Sequence, residues 1–495
     1  MQTLQINNLF YKYPYSSISV FENINLEFHK EWTAIVGSNG SGKSTLLKLI
    51  SKELKSEETT IKGNDLVHYC PQSTEKEPKY IKEYMMTHTS KAFKTRDMLG
   101  IKDSYVSKWS ELSHGERKRL QIALALFSES DVLMVDEPTN HLDVKSKEIV
   151  KQALKNFKGI GILVSHDREL LDELSKTTMM IKDSKITTYR LKFSLAVDEY
   201  KKSTLHLQKM QDLHEEKLKK LDRVIQSQRD KVILSKGRVS KRNLDSNDSD
   251  SRAKINLAKL TGKDKNDGQM LKRTQAKRKQ LLNESIVLNK QSKIGISFDI
   301  EKSKKSFPII IEPYVLEVSE KQKLSFPRLS IEEYDKISIV GDNASGKSSF
   351  INFILAQIRL NDTVLYIPQE ITEDESKRVF KELKDMPKDK KGELYTLIKR
   401  LSGEPKQLIQ SSLPSPGEVR KLLIAKGLLS KPSLIILDEP TNHMDLESIE
   451  ALESALQDYF GTLIIISHDK FFVDGLSTVV WSFEQVEEGF FEIKP

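Results

Sequence analysis

The chain has 495 residues, of which 38% are hydrophobic and 30% charged, and its formal net charge is +8. This length exceeds the roughly 100–200 residues of one domain, so we expect two or three domains. The longest unbroken apolar run covers only residues 122–127, the first ten residues show no secretory leader, and Cys70 is the only cysteine. These features exclude a membrane-spanning helix and an intramolecular disulfide, and they predict a cytoplasmic protein.

A glycine-rich loop follows the first strand that the sequence predicts to be buried. Residues 37–44 fit the pattern G-x-x-x-x-G-K-[ST], between a predicted strand at 33–36 and a helix that begins at residue 45. In such a loop the backbone N–H groups wrap around phosphates, and the helix N-terminus faces the anion. We predict that Lys43 reaches the β- and γ-phosphates of a nucleotide and that Ser44 ligates Mg²⁺. The predicted phosphate-binding residues are Gly37, Ser38, Asn39, Gly40, Ser41, Gly42, Lys43, Ser44 and Thr45.

Two acidic residues end a later buried strand. Residues 131–137 form an apolar run that closes with Asp136 and Glu137, which is typical of a strand covered on both faces in a parallel sheet. Asp136 suits Mg²⁺, directly or through water, and Glu137 suits the orientation of an attacking water in phosphoryl transfer. His166 follows another predicted strand, at 161–164, and could hydrogen-bond a γ-phosphate, although a lone histidine is more often structural.

The central linker carries the excess positive charge. Residues 194–293 contain 25 Lys and Arg against 13 Asp and Glu, so the rest of the chain is net negative. The pattern predicts a helix over 195–236, a returning helix over 269–290, and a tip at 237–268 with a short helix at 253–260, together an antiparallel hairpin. The simplest interpretation of this charge is that the linker is a solvated helical spacer. We favour contacts with RNA phosphates, because the excess has one sign and is confined to the linker. The densest candidates are Lys272, Arg273, Lys277, Arg278 and Lys279.

An apolar triplet lies near the end of the outgoing helix. Residues 232–234 read Val-Ile-Leu among charged neighbours. Such side chains could contact bases or a nearby ligand, and packing within the hairpin is an equally good alternative.

The motifs of the first half recur in the same order in the second half. The octamer at 136–143 reads Asp-Glu-Pro-Thr-Asn-His-Leu-Asp and returns at 438–445 with methionine in place of leucine. The glycine loop returns at 341–348, and Ser-His-Asp at 165–167 returns at 467–469. The chain is therefore a tandem repeat, and we predict domains at 1–193 and 305–495 joined by a linker at 194–304. The second set of predicted site residues is Gly341, Asp342, Asn343, Ala344, Ser345, Gly346, Lys347, Ser348, Ser349, Asp438, Glu439 and His468.

Residues 112–117 read Leu-Ser-His-Gly-Glu-Arg before a predicted helix, and with them the motif set resembles ATP-binding cassette domains. The resemblance implies an α/β fold: two tandem cassette (P-loop NTPase) domains joined by a long α-helical hairpin linker. It also implies head-to-tail pairing, so that each ATP lies between one phosphate loop and the other domain's signature. Site one would combine Lys43, Gln72, Glu137 and His166 with Ser415, Gly417 and Glu418. Site two would combine Lys347, Gln369, Glu439 and His468 with Ser113, Gly115 and Glu116.

The remaining site assignments also follow from this resemblance. Both glutamines would serve Mg²⁺ together with Ser44, Asp136, Ser348 and Asp438. Tyr13 fits the residue that stacks on adenine, and the second domain offers only Tyr314 and Phe326 for that role. The second signature departs from the usual pattern and reads Pro-Ser-Pro-Gly-Glu over 414–418, but its serine and glycine are retained.

The repeated octamer and the charged linker resemble the ABC-F family in particular. That family comprises cytoplasmic ATPases, without membrane domains, that use ATP and Mg²⁺ and act on ribosomes. The resemblance implies contact with rRNA and tRNA, no transmembrane subunit, and a monomer whose two cassettes pair within one chain. Gln72 precedes Ser113 by 41 residues and Gln369 precedes Ser415 by 46, so no extra arm is inserted in the first domain.

A long linker without an arm resembles the antibiotic-resistance members, which protect the peptidyl-transferase centre and leave after ATP hydrolysis. Three alternatives stay open. They are a housekeeping ABC-F translation factor, the ATPase subunit of a transporter, and a DNA-maintenance ATPase with a coiled-coil insertion. The basic linker disfavours the second, and its position between two complete domains disfavours the third.

Overall fold

The structure is a computed structural model, and it describes residues 3–14, 16, 18–63, 66–106, 109–140, 142–182, 184–238, 263–283, 307–358, 364–403 and 415–495. The chain divides into two compact units. The first combines Met1–Ala196 with Ser292–Pro495, and the second, which we name the linker unit, is Val197–Gln291. Within the first unit we name the two repeats cassette one (residues 3–196) and cassette two (residues 307–495).

Cassette one is built around a six-stranded sheet with the order β5-β6-β7-β3-β8-β9, parallel except for β9. A separate antiparallel sheet has the order β2-β1-β4. The strands are β1 (Leu4–Tyr11), β2 (Phe21–Phe28), β3 (Trp32–Gly37), β4 (Thr60–Lys62), β5 (Val67–Cys70), β6 (Val132–Asp136), β7 (Ile160–Val164), β8 (Thr177–Lys182) and β9 (Lys185–Tyr189). The helices are α1 (Lys43–Ile50), α2 (Ile81–Met86), α3 (Ser90–Met98), α4 (His114–Phe127), α5 (Val144–Lys155) and α6 (Arg168–Leu174).

The central strands of this sheet are buried on both faces. Every residue of β6 and β7 is buried, which explains why these segments are apolar runs without alternation. Parallel strands of this kind bring their carboxyl ends to one edge of the sheet. Asp136 ends β6, and His166 follows β7 by two residues, so the edge collects the polar side chains predicted to act on the nucleotide.

Cassette two repeats this order with one difference in its antiparallel strands. Its main sheet has eight strands in the order β11-β12-β19-β18-β14-β17-β16-β15, and β10 pairs with β13 alone. The strands are β10 (Ile309–Ile311), β11 (Tyr314–Ser319), β12 (Gln322–Phe326), β13 (Leu329–Ile331), β14 (Lys336–Gly341), β15 (Val364–Ile367), β16 (Leu434–Asp438), β17 (Thr462–Ile466), β18 (Val479–Glu487) and β19 (Phe490–Lys494). The helices, numbered after the two of the linker, are α9 (Lys347–Gln357), α10 (Glu373–Asp385), α11 (Lys388–Arg400), α12 (Pro416–Leu428), α13 (Leu446–Gln457) and α14 (Lys470–Leu476).

The linker is dominated by two helices, α7 (Phe193–Arg238) and α8 (Lys263–Asn283). The 46 residues of α7 span about 69 Å at 1.5 Å per residue. The helix α8 begins at Lys263, six residues before the predicted start at 269. That prediction was wrong because Gly268 was taken as a tip residue, whereas one glycine inside a helix costs only about 1 kcal/mol. The predicted short helix at 253–260, most of the tip and the end of the returning helix at 284–290 lie outside the described residues.

An ion pair joins the two linker helices to each other. Arg278 on α8 lies 2.5 Å from Asp222 on α7, and Ile225 on α7 is buried. Ile233, the centre of the apolar triplet, is instead 67% exposed. Among the described helices, none is both long enough and apolar enough to cross a membrane.

Candidate active site

The two phosphate loops, residues 37–44 and 341–348, have the same local construction. Each follows a central strand and turns through a left-handed glycine into a helix, with φ of +102° at Gly42 and +93° at Gly346. A Cβ on Gly42 would lie 2.6 Å from Val20, so both the dihedral angle and the space require glycine there. Lys43 at the start of α1 donates to the carbonyls of Gly37 and Ser38, at 2.7 and 3.0 Å.

The loop lysines are buried cations facing carboxylates. Lys347 copies Lys43 by donating to the carbonyls of Gly341 and Asp342, at 2.8 and 2.6 Å. Burial lowers the pKa of both lysines, and nearby carboxylates oppose that shift. The hydroxyls of Ser41 and Ser345 are buried and have no hydrogen-bond partner among the described residues. Unsatisfied donors beside a buried cation at a helix N-terminus fit an anionic ligand such as a phosphate chain.

A hydroxyl and a carboxylate meet at each predicted magnesium position. Ser348 donates to Asp438 Oδ2 at 2.8 Å, and Ser44 is hydrogen-bonded to Asp136 in the same way. Burial raises the pKa of Asp136 and Asp438, and the serine hydrogen bonds and nearby cations oppose this. Paired oxygen ligands of this kind suit Mg²⁺, which keeps waters and binds one or two protein oxygens together with phosphates.

Glu137 and Glu439 occupy strained and nearly identical positions. Both have φ of +47°. Each backbone N–H donates to the carbonyl of the last residue of the strand before the switch histidine, which is our name for His166 in cassette one and His468 in cassette two. In each carboxylate, Oε2 accepts from the backbone N–H of His166 or His468, at 3.3 and 3.4 Å, while Oε1 is buried with no hydrogen-bond partner among the described residues. A free, aimed carboxylate oxygen at the end of the sheet is suited to orient a water molecule.

The glutamates and histidines lie close enough to influence one another. The Nε2 atoms of His166 and His468 lie 3.3 and 3.4 Å from the Oε1 atoms of Glu137 and Glu439. Burial, followed by the charge of Asp136, raises the pKa of Glu137 to about 8. Burial raises the pKa of Glu439 to about 7, and Lys147 and Lys347 oppose that rise.

Both switch histidines are neutral in these surroundings. Burial lowers the pKa of His166 and of His468 to about 3, with Lys43 or Lys347 as the next cause. A neutral imidazole can donate one hydrogen bond to a phosphate oxygen without adding charge. His468 Nε2 lies 3.1 Å from the side-chain oxygen of Asn343 in its own phosphate loop.

The two signature segments begin their helices with the same capping box. Glu116 N–H donates to Ser113 Oγ at 3.3 Å and Ser113 N–H donates to Glu116 Oε2 at 2.9 Å. Ser415 and Glu418 make the same pair of bonds at 3.3 and 2.8 Å. Pro416 occupies the first position of α12, where its missing N–H is not needed. The unusual second signature therefore retains the backbone geometry of the first.

The first unit brings the phosphate loop of cassette one against cassette two. Asn39 donates from its backbone to Asp445 Oδ2 at 2.9 Å and from its side chain to the carbonyl of His443 at 3.1 Å. A Cβ added to the signature glycine, Gly417, would lie 3.6 Å from the Asn39 side chain and 2.4 Å from the His443 carbonyl. The residues predicted for site one thus approach one another from both cassettes, as head-to-tail pairing requires.

Ionic contacts also join the cassettes on the other side. Lys145 lies 2.7 Å from Asp342 in the phosphate loop of cassette two. Arg168, two residues after the switch histidine of cassette one, places both guanidinium nitrogens 3.1 Å from Glu453. Each loop predicted to act on nucleotide is therefore contacted by the opposite cassette.

Comparison with known proteins agrees with this geometry. A family model described as ABC transporter matches residues 21–140 and 324–442. The ribosome protection protein VmlR of Bacillus subtilis is 26% identical over 481 residues, covering 93% of this chain and 83% of that protein. The ATP-binding protein Uup of Buchnera aphidicola is 29% identical over 524 residues, covering 98% and 81%. The archaeal ribosome recycling factor aABCE1, solved with the stalk protein aP1, has a TM-score of 0.63 at 18% identity over 98% of this chain and 89% of that one.

The chain is an ATPase with two ABC transporter domains, and its relatives include ABC-F proteins. The predicted fold class, α/β with two tandem cassettes, is confirmed. The assignment of individual residues to catalysis, ATP or Mg²⁺ remains a prediction, which the contacts of this ATPase support to different degrees. Gln72 and Gln369, for instance, are both exposed, and Gln369 lines a cavity together with Glu439.

One pair of residues in this ATPase was missed from the sequence. Lys118 on α4 is fully buried and donates to the carbonyls of Pro71 and Asp136, at 2.7 and 2.9 Å. Arg420 occupies the matching position on α12 and donates to the carbonyls of Gln369 and Glu439. In each cassette a buried cation thus joins the helix that starts in the signature to two other segments. These are the segment around Gln72 or Gln369 and the strand end that carries the two acidic residues. The available signal was the recurrence of a basic residue five positions after each signature serine.

The two cassettes of this ATPase differ at the predicted adenine position. Tyr13, in the nine-residue connection between β1 and β2, is partly exposed and its hydroxyl lies 2.8 Å from Thr45 Oγ1 on the phosphate-loop helix. In cassette two the matching connection is a two-residue turn. Phe326 is buried in the core, and Tyr314 stacks on Phe353, with ring centroids 5.7 Å apart. Phe326 is therefore not free to stack on a base, whereas Tyr314 is 54% exposed.

Four of the five predicted RNA-binding residues are exposed along α8: Lys272, Arg273, Lys277 and Lys279. The fifth, Arg278, is less exposed and pairs with Asp222 on α7. Its guanidinium therefore joins the two linker helices, and its availability for RNA is lower than the sequence indicated.

Proposed function

We propose that this ATPase belongs to the ABC-F family, binds ribosomes and protects them from antibiotics that act at the peptidyl-transferase centre. The linker would enter the ribosome while the two cassettes are closed on ATP, and hydrolysis would release the protein. The observation that carries the proposal is the linker itself: a separate compact unit whose helix α7 is about 69 Å long, joining two cassettes. The similarity to VmlR over most of both chains supports the same function.

ATP would bind at the two sites that each combine residues from both cassettes, and it would hold the cassettes together. In the proposal, Lys43 and Lys347 exchange loop carbonyls for the β- and γ-phosphates, and the phosphate-loop N–H groups cradle the chain. Asn39 already contacts Asp445 of the other cassette, so a nucleotide bound at this seam would strengthen closure. Closure can favour ribosome binding only to the extent that the ribosome binds the closed state more tightly than the open one.

The hydrolytic step needs a held water and neutralised phosphate charge. Mg²⁺, held by Ser44 with Asp136 and by Ser348 with Asp438, would supply positive charge when bound. The free Oε1 atoms of Glu137 and Glu439 are placed to orient the water, and the neutral switch histidines can each donate to a phosphate oxygen. Lys118 and Arg420 hold the backbone around these groups from behind.

The phosphates of ribosomal RNA are negatively charged, so a surface that binds them needs positive charge. The linker provides exposed cations on one helix. Lys272, Arg273, Lys277 and Lys279 are exposed on α8 and can neutralise rRNA or tRNA phosphates without reading sequence. Exposed apolar side chains on the same unit, such as Ile233 and Met270, offer contact with bases or with a ligand in the peptidyl-transferase centre.

Changing the four exposed cations of α8 to glutamine should weaken ribosome binding and reduce its salt dependence. Each phosphate contact removed lowers the slope of log affinity against log salt by about one. Co-sedimentation with ribosomes over a salt series measures this, and ATP turnover without ribosomes should stay close to wild type. The matched variant is Arg278→Gln, which loses one cation from the same helix but breaks the ion pair with Asp222. Unchanged affinity and slope in the fourfold variant would make the linker a spacer.

Replacing residues 239–262 with a short Gly-Ser linker should leave ribosome binding largely intact and abolish antibiotic tolerance. We expect α7 and α8 to hold the protein on the ribosome, whereas the segment between them acts in the peptidyl-transferase centre. Growth assays with lincosamides, streptogramin A and pleuromutilins measure tolerance, with an antibiotic that binds elsewhere as the control. If expression of the full chain raises tolerance to none of them, the housekeeping translation factor becomes the better proposal.

A further inference from the structure

The cassettes present different side chains to each other from equivalent helices. In cassette one, α5 follows Asp143 and carries Lys145 and Lys147. The matching positions of α13 in cassette two hold Glu447 and Ile449. One cassette therefore offers two cations where the other offers a carboxylate and an apolar side chain, so the two ATP sites receive different groups from their partner cassettes.

The side chain of Lys147 lies between the two switch-histidine loops. Its Nζ lies 3.5 Å from the carbonyl oxygen of His468 in cassette two and 3.5 Å from Asp167 Oδ2 in its own cassette. The side chain is 24% exposed, so water screens its charge only in part. A long-range contact of this kind connects the residue after His166 with the backbone of the opposite histidine.

The equivalent residue cannot do the same for site one. Ile449 is 2% exposed, carries no charge, and belongs to the apolar core of cassette two. Glu447, which matches Lys145, lies 2.9 Å from Lys182 of cassette one. The repeat thus preserves the position of these helices but not the chemistry that they present.

The residue that Lys147 contacts, His468, also binds the carboxylate of Glu439 in site two. His468 N–H donates to Glu439 Oε2 at 3.4 Å, and His468 Nε2 lies 3.1 Å from Asn343 Oδ1. A cation on the carbonyl of the same residue restrains that loop from its other side.

A cavity next to these residues leaves space for reacting groups. It has a volume of about 380 Å³, and its lining includes Lys147, Gln369, Glu439 and His468. The side chain of Lys147 therefore lies at the wall of a cavity rather than inside a packed core. Its loss would alter the site without opening a hole in either cassette.

We propose that Lys147 of cassette one is a positioning residue of the second ATP site, and that it makes the two sites unequal in turnover. It acts by restraining the His468 loop and by providing positive charge near Glu439. This inference rests on the proposed function, in which His468 and Glu439 belong to the hydrolytic machinery.

The test measures site two alone, in a Glu137→Gln background that silences site one. Lys147→Ile copies the residue that cassette two carries at the matching position, and we expect kcat to fall about tenfold with KM for ATP changed by less than about twofold. Lys147→Arg keeps the charge and should retain most of the turnover. Lys158→Ile removes a lysine from the exposed turn after α5 and is the matched control, with turnover close to the background.

Three outcomes would overturn the proposal: an unchanged kcat in Lys147→Ile, a rise in KM alone, or an equal loss in Lys147→Arg. The first removes any effect, the second indicates nucleotide binding, and the third indicates packing rather than charge. The variant Glu137→Gln/Glu439→Gln separates this proposal from the proposed function. Wild-type turnover there overturns both, whereas an inactive double variant with an unaffected Lys147→Ile overturns the role of Lys147 alone.

Discussion

The double variant Glu137→Gln/Glu439→Gln should bind ATP but hydrolyse it at least about 100-fold more slowly than wild type, the loss expected when a general base is removed. Glutamine has nearly the shape of glutamate, and its side-chain oxygen can still accept from the backbone N–H of His166 or His468. What disappears is the ability of the Oε1 atom, which is buried at the end of each sheet, to take a proton from the attacking water. The phosphate loops are untouched, so the affinity for ATP should remain close to wild type.

This prediction has a ribosomal consequence as well as an enzymatic one. If hydrolysis releases the protein, the double variant should accumulate on ribosomes in the presence of ATP and slow growth when expressed. Single-turnover hydrolysis and ribosome co-sedimentation measure the two effects separately. Each single variant keeps one working site and serves as the internal comparison. Wild-type turnover in the double variant would refute the catalytic role of both glutamates.

Much of the fold was predictable because the same sequence motifs occur in both halves of the chain. The apolar runs that became β6 and β16 predicted strands buried on both faces, and the glycine loops predicted the turn into α1 and α9. Those features depend on residues close together in the chain, since a left-handed glycine such as Gly42 is decided by local geometry. The same locality explains why a capping serine such as Ser113 could be placed at a helix start.

The parts that the sequence did not reveal depend on distant contacts. A lysine on an amphipathic helix usually indicates a solvated face, so Lys118 gave no sign of being fully buried under two carbonyls. The pairing of Arg278 with Asp222 depends on the register of two helices that are 56 residues apart in sequence. The approach of Lys147 to His468 depends on how two cassettes face each other, which no local pattern specifies.

Loss of the buried cation on the signature helix should be the most destabilising single change in cassette one. Lys118→Met removes the ammonium that satisfies the carbonyls of Pro71 and Asp136, and it leaves Lys43 as the cation near the Asp136 carboxylate. Leaving two buried carbonyls unsatisfied and removing a buried cation beside a carboxylate costs about 3–5 kcal/mol. For a domain of this size each kcal/mol lowers Tm by about 2–4 °C, so we expect a drop of about 6–20 °C in the cassette-one transition.

The chain supplies the control for this experiment in its other half. Arg420 joins the same two segments in cassette two, so Lys118→Arg should retain most of the Tm, because a guanidinium at this position can reach backbone carbonyls of both segments. Differential scanning calorimetry measures the transitions, and ATP turnover in a Glu439→Gln background reports on site one. Turnover should fall along with Tm in Lys118→Met, since the carbonyl that Lys118 holds belongs to the residue before Glu137. Equal Tm values for Lys118→Met and wild type would show that the buried ammonium contributes nothing net. In that case desolvation of the cation would offset its two hydrogen bonds, and its purpose would lie in fixing the geometry of the acidic strand end rather than in stability.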